Sequence, residues 1–120
     1  MDKGTQIYQE LIDEFAKKSQ ECVASNWALH GEAKGTDEHI RKLNKLFKKL
    51  SEDERQTLAQ YALEAYTDGI YDTLCEIEWY VDCRDMTITV EGEQLPTQKF
   101  EGIGNDFIGR RDGDWDWPEE

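Results

Sequence analysis

Long apolar runs are absent from this chain. No stretch approaches the ~20 residues a helix needs to cross a bilayer, so neither a membrane span nor a membrane partner is expected. Met1 to Glu10 is polar from its start, and no secretory signal is expected there. Cysteine is scarce and irregularly spaced. Cys22, Cys75 and Cys83 are an odd number without a framework pattern, which argues for a reducing, cytoplasmic compartment and for small side chains packed in or near the core.

Catalytic signatures are missing as well. His30 and His39 are the only histidines, and with Cys22 or Glu38 they match no metal-ligand spacing. Gly102-x-Gly104 followed by Gly109 is not a dinucleotide fingerprint, because the next glycine falls five residues on and no βαβ unit surrounds it. No nucleophile elbow and no phosphate loop occur. The expectation is a protein that is not an enzyme, with no catalytic residue, no metal and no cofactor; a metal-assisted enzyme using the two histidines ranks third among the readings.

Aliphatic residues are few. Leu, Ile, Val and Phe make up 24 of 120 residues, near the limit below which a highly charged chain stays unfolded. Thirteen aromatic residues and strong helical periodicity place the sequence on the folded side. Its length suits one domain, 1–120, with a helical part over 1–83 and a hairpin and tail over 84–120.

Positive charge is short in one half only. Residues 1–60 carry 10 basic and 11 acidic side chains, a net of −1; residues 61–120 carry 4 and 16, a net of −12. Such a field repels nucleic acid and anionic membranes and attracts cationic partners.

The fold class expected is α+β, mostly helical: three helices, the third long, followed by a β-hairpin and an irregular acidic C-terminal tail. The first helix spans Gln6 to Ser25, with Ile7, Tyr8, Leu11, Ile12, Phe15, Cys22 and Val23 on helical spacing and Asp2 or Thr5 as its cap. A break over Asn26 to Gly35 returns Trp27 and Leu29 to the core. Thr36 or Asp37 opens the second helix, whose apolar stripe is Ile40, Leu43, Leu46, Phe47 and Leu50 and whose opposite face is lysine-rich. Ser51 with Glu54 forms a capping box that starts the third helix, favoured as one unit from Glu52 to Val81 through Gly69. Met86, Ile88 and Val90 alternate as a strand, Glu91-Gly92 turns, and Gln94 to Phe100 returns past Pro96. Ile103, Phe107 and Ile108 are core contacts from the loop-rich tail.

Two constellations are candidate binding sites. Glu64, Asp68, Asp72 and Glu76 follow one another at four-residue intervals, about 6 Å apart along a helix axis. No Lys or Arg lies between Arg55 and Arg84, and like charges at this spacing each cost roughly 0.2–0.5 kcal/mol. Trp79, Tyr71 and Cys75 fall near the same face, giving an acidic, aromatic surface suited to Arg and Lys. The bland reading is a solvated face, or a dock for the lysine-rich helix.

The second constellation is the tail, with Asp112, Asp114 and Asp116 around Trp115 and Trp117, ending in Glu119 and Glu120. Alternation puts both indoles on one side of an extended segment, as anchors on the domain or on a partner. A calcium loop is disfavoured: Trp117 stands where glycine is needed, and no twelfth-position Glu follows. Arg110-Arg111 reads as a clamp holding the tail on the long helix.

The leading functional reading is a small acidic binding or inhibitory protein that docks on a basic protein partner, for example a nuclease or another nucleic-acid-processing enzyme, without binding nucleic acid itself. In size and charge alone the chain resembles immunity proteins for nuclease toxins and nucleic-acid mimics, a likeness of class that carries over no residue. The alternative is a housekeeping interaction or adaptor domain whose acidity serves solubility.

Overall fold

The computed structural model describes residues 1–119. Its first helix, α1 (Lys3–Lys18), starts where the Asp2 carboxylate accepts the Thr5 N–H at 2.8 Å and the Thr5 hydroxyl at 2.9 Å, satisfying a backbone donor that the first turn leaves open. It ends at Ser19, whose hydroxyl donates to the Ala16 carbonyl at 2.8 Å. The expected continuation to Ser25 is therefore corrected. Cys22 leaves the helical conformation and its sulfur accepts the Ser25 N–H at 3.4 Å, capping a separate helix α2 (Val23–His30) where a loop was expected. Helix α2 stops at Gly31, whose positive φ supplies a left-handed cap. Val23 and Leu29, both expected inside, are 63% and 45% exposed.

Asp37 caps α3 (Glu38–Phe47) by accepting the Ile40 N–H at 2.9 Å. The Ser51–Glu54 capping box forms in both directions, at 2.8 and 3.1 Å, and opens α4 (Glu52–Cys83), one helix continuous through Gly69. Glu91 and Gly92, both at positive φ, make a two-residue turn between β1 (Thr89–Val90) and β2 (Glu93–Gln94). Among the described residues only Thr89 and Val90 pair, antiparallel with Gln94 and Glu93, so the expected strands shrink to two residues each and Met86 stays exposed.

The tail is not wholly irregular, for its first part is a further helix, α5 (Ile103–Asp112). With α2 and α5 the described residues hold five helices rather than three; the mostly helical α+β class stands.

Contacts group the described residues into two compact units. One joins Met1–Ser19 to the chain from Asp68 onward, around a core of Tyr8, Ile12, Leu74, Leu95, Ile103 and Phe107. The other, Gln20–Thr67, packs Ala28, Ala33, Ile40, Phe47 and Ala59 with Trp27 and Leu43; there Asn44 is bound to the Ala33 backbone in both directions, at 2.6 and 3.0 Å. Among the described residues no helix is long and apolar enough to cross a membrane.

Candidate functional site

In the second half of α4 the apolar positions Ile70, Leu74, Ile77 and Val81 turn to the core and leave the opposite face of the helix in water. Asp68, Asp72 and Glu76 occupy that outer face, all exposed, and among the described residues none has an ion-pair or hydrogen-bond partner. Trp79 and Tyr80 follow, 47% and 43% exposed, with their rings edge to face at 5.1 Å between centroids. Tyr80 comes four residues after Glu76, so the row ends in an aromatic pair. The sequence reading named Trp79 but missed Tyr80, although the same four-residue step reaches it.

Glu64 is exposed on the first half of α4, which belongs to the other unit, and accepts the Gln60 amide at 3.2 Å. Tyr71 and Cys75 do not join the outer face. Both are half-buried and turn toward Gly104 of α5, where a Cβ would stand 2.6 Å from the Cys75 sulfur and 3.3 Å from the Tyr71 ring. Helix α5 can press this close to α4 only because residue 104 is glycine. Glu78, also half-buried, accepts the Gly104 N–H at 3.1 Å and so caps α5, whose Gly102 has no side chain for the task.

Beneath this contact lies a buried polar pair. Tyr8 donates its hydroxyl to Asp106 Oδ2 at 2.5 Å, the Glu101 N–H reaches Oδ1 at 3.0 Å, and Asp106 is fully buried. Burial raises the Asp106 carboxyl above the ordinary aspartate value, against the lowering effect of its two donors. Burial and the neighbouring carboxylate likewise raise the Tyr8 phenol. These two groups tie α1 to the first turn of α5, and the sequence carries no local sign of the pairing.

The tail folds back on its own unit, but not as the sequence suggested. Arg110 clamps Asp13 of α1, at 2.7 Å from Nε, rather than the carboxylates of α4, and it also reaches the Trp115 carbonyl at 3.2 Å. Arg111 pairs with its neighbour Asp112 at 3.0 Å. Trp117 donates its indole N–H to the same Asp13 at 3.1 Å and packs on Tyr8 and Phe100, so it serves the core. Trp115 and Trp117 do lie on one side, edge to face at 5.0 Å. Asp112, Asp114 and Asp116 are exposed, while Glu120, the last residue of the expected acidic tail, lies outside the described residues.

Between the tail and the start of α5 opens a groove of about 790 Å³. Its apolar walls are Phe100, Trp115 and Pro118; Glu101, Asp116 and Glu119 supply carboxylates, with Lys99 and Asn105 completing the lining. Trp115, Asp116 and Glu119 belong to the tail constellation read from sequence. Lys99, Phe100, Glu101 and Asn105 were not linked to it, because a groove assembled from two separated segments has no linear signature.

Three of the outer α4 residues and Trp79 thus share one helix face, and Trp115, Asp116 and Glu119 share a separate groove; nothing in the geometry merges these into one centre. Among the described residues no three His, Cys, Asp or Glu side chains stand close enough together to hold a metal. No curated protein and no solved structure matches the chain. Over residues 1–119 it matches a family model, and the protein accordingly belongs to DUF6547, a family of unknown function.

Proposed function

We propose that this protein is a small acidic binding protein that docks on a cationic surface of a basic protein partner and occupies it, as an inhibitor of a nucleic-acid-processing enzyme would. The observation that carries the reading is the outer face of α4, where Asp68, Asp72 and Glu76 stand unneutralised beside the exposed Trp79–Tyr80 pair. A row of carboxylates at about 6 Å intervals can meet Lys and Arg side chains that otherwise bind phosphates. The indole and phenol faces add cation–π contact and a desolvated anchor of the kind that dominates interface energies. Charge then sets the speed and salt sensitivity of association, and the aromatic pair sets its persistence.

The test is comparative capture from the native host, read by mass spectrometry, with the wild type against the charge-reversed chain Glu64→Lys, Asp68→Lys, Asp72→Lys, Glu76→Lys and against Trp79→Ala. All five positions are exposed, so far-ultraviolet circular dichroism is expected to be unchanged. A basic protein retained by the wild type, released by raised salt and lost from both variants supports docking. The same proteins retained equally by all three chains would show that the acidity serves only solubility, as in an adaptor domain.

A further inference from the structure

The groove at the tail differs from the α4 face in kind, being concave, walled by rings and bordered by carboxylates. We infer that it receives an extended peptide segment of the partner and holds one arginine side chain of that segment. The inference rests on the proposed binding of a cationic partner and adds where, and by what chemistry, a single guanidinium is recognised.

Size comes first. At about 790 Å³ the groove is within the range of sites that accept a short peptide or a drug-sized molecule, and far larger than one side chain requires. Charge comes second. Glu101, Asp116 and Glu119 face one ammonium, Lys99, which already donates to the Thr5 hydroxyl at 3.1 Å and lies 3.9 Å from Asp2. Arg110 reaches Asp116 at 3.4 Å, but its shortest contact is with Asp13. The lining therefore keeps an excess of negative charge for an incoming cation.

Wall geometry decides between arginine and lysine. Phe100 stacks on Tyr8 at 6.1 Å and tilts on Trp117 at 4.9 Å, and Trp117 in turn meets Trp115 at 5.0 Å. The rings are fixed by one another before any ligand arrives, so little ordering cost remains on binding. A planar guanidinium can stack on such a wall while its N–H fork meets a carboxylate, whereas an ammonium offers no plane to stack. Gly109 is part of the construction: a Cβ there would lie 2.5 Å from the Trp115 indole nitrogen, so only glycine lets Trp115 take its place in the wall.

The test is a nuclear magnetic resonance titration of the full chain with three capped peptides of identical length, carrying a central arginine, lysine or glutamine between glycine and proline residues. The arginine peptide is expected to shift the Trp115 indole N–H and the amides of residues 99–101 and 116–119. It should bind about tenfold more tightly than the glutamine peptide, since one salt bridge and one cation–π contact separate them. Trp115→Ala and Gly109→Ala should each remove the response, the first by deleting the wall and the second by displacing it. Shifts confined to Trp79 and its α4 neighbours would overturn the groove while leaving the proposed docking face intact. Equal affinity for all three peptides, or no response at millimolar peptide, would also overturn the groove; the docking face fails separately, if charge reversal on α4 leaves partner capture unchanged.

Discussion

Replacing Tyr8 with Phe removes one oxygen from the middle of the larger core, and its effect can be worked from the structure. Tyr8 is 1% exposed and its hydroxyl is one of two donors to the fully buried Asp106 carboxyl. The ring keeps its packing on Phe100 and Trp117, so almost no apolar burial is lost. What is lost is a hydrogen bond to a carboxyl group that water cannot replace, a loss of about 2 kcal/mol. For a chain of this length that lowers Tm by roughly 8 °C. Urea unfolding should show a lower midpoint at unchanged slope, because the surface exposed on unfolding stays the same. A loss under about 0.5 kcal/mol, the scatter of ordinary surface substitutions, would refute the claim that this pair ties α1 to α5.

The partner substitution, Asp106→Asn, probes the same pair through pH. Burial raises the Asp106 carboxyl above its unfolded value of 3.8, so the folded chain holds this proton more tightly than the unfolded one. The stability linked to that proton is full below pH 3.8 and is lost as pH rises through the raised folded value. An amide cannot titrate, yet it can accept the Glu101 N–H through its oxygen and donate to the Tyr8 hydroxyl through its nitrogen. Asp106→Asn should therefore remove this falling component from the stability–pH curve above pH 3.8. Parallel curves for the wild type and the variant would show that the carboxyl is not perturbed.

Three glycine and arginine substitutions extend the reasoning. Gly69 sits inside α4 with nothing within 4 Å of where a methyl group would stand, so Gly69→Ala should stabilise the fold by about 0.5–1 kcal/mol in thermal or urea unfolding. Gly104→Ala should do the opposite, by about 1–3 kcal/mol, because its methyl group would meet the Cys75 sulfur at 2.6 Å. Arg110→Ala frees Asp13 and the Trp115 carbonyl, and should cost about 1–2 kcal/mol while making the chain beyond Gly113 the first site of limited proteolysis.

The parts of the fold that were legible in the sequence are those settled within a few residues. The Asp37 cap, the Ser51–Glu54 box and the Glu91-Gly92 turn each close over four residues or fewer, and each forms as its side chains dictate. The length of α4 was legible because its apolar period runs unbroken through Gly69. Helix α2 was hidden because Cys22 and Val23 continue the period of α1, although one caps a new helix and the other faces water. Helix α5 was hidden by its glycines. Gly104 and Gly109 look like loop residues, but they are where α5 receives Cys75 and Trp115, at a helix cost of about 1 kcal/mol each that close packing offsets. The spacing of Ile103 and Phe107 was the available signal, and glycine content outweighed it.

The candidate site divides along the same line. Asp68, Asp72, Glu76 and Trp79 follow from one helix and one period, so a local pattern is enough to put them on one face. The tail clamp and the groove join Trp115 and Asp116 to Asp13, Phe100 and Glu101 across the whole of α5 or more, and so no local pattern reveals them. That difference bears on function. A solvated helix face usually alternates its charges, because each Asp–Lys step gains what each Asp–Asp step loses, roughly 0.2–0.5 kcal/mol. From Asp68 to Glu76 the helix takes that loss at both steps, then leaves a tryptophan and a tyrosine in water at the end of the row. Solubility alone needs neither the unbroken sign nor the exposed rings. The cationic partner proposed above would use both.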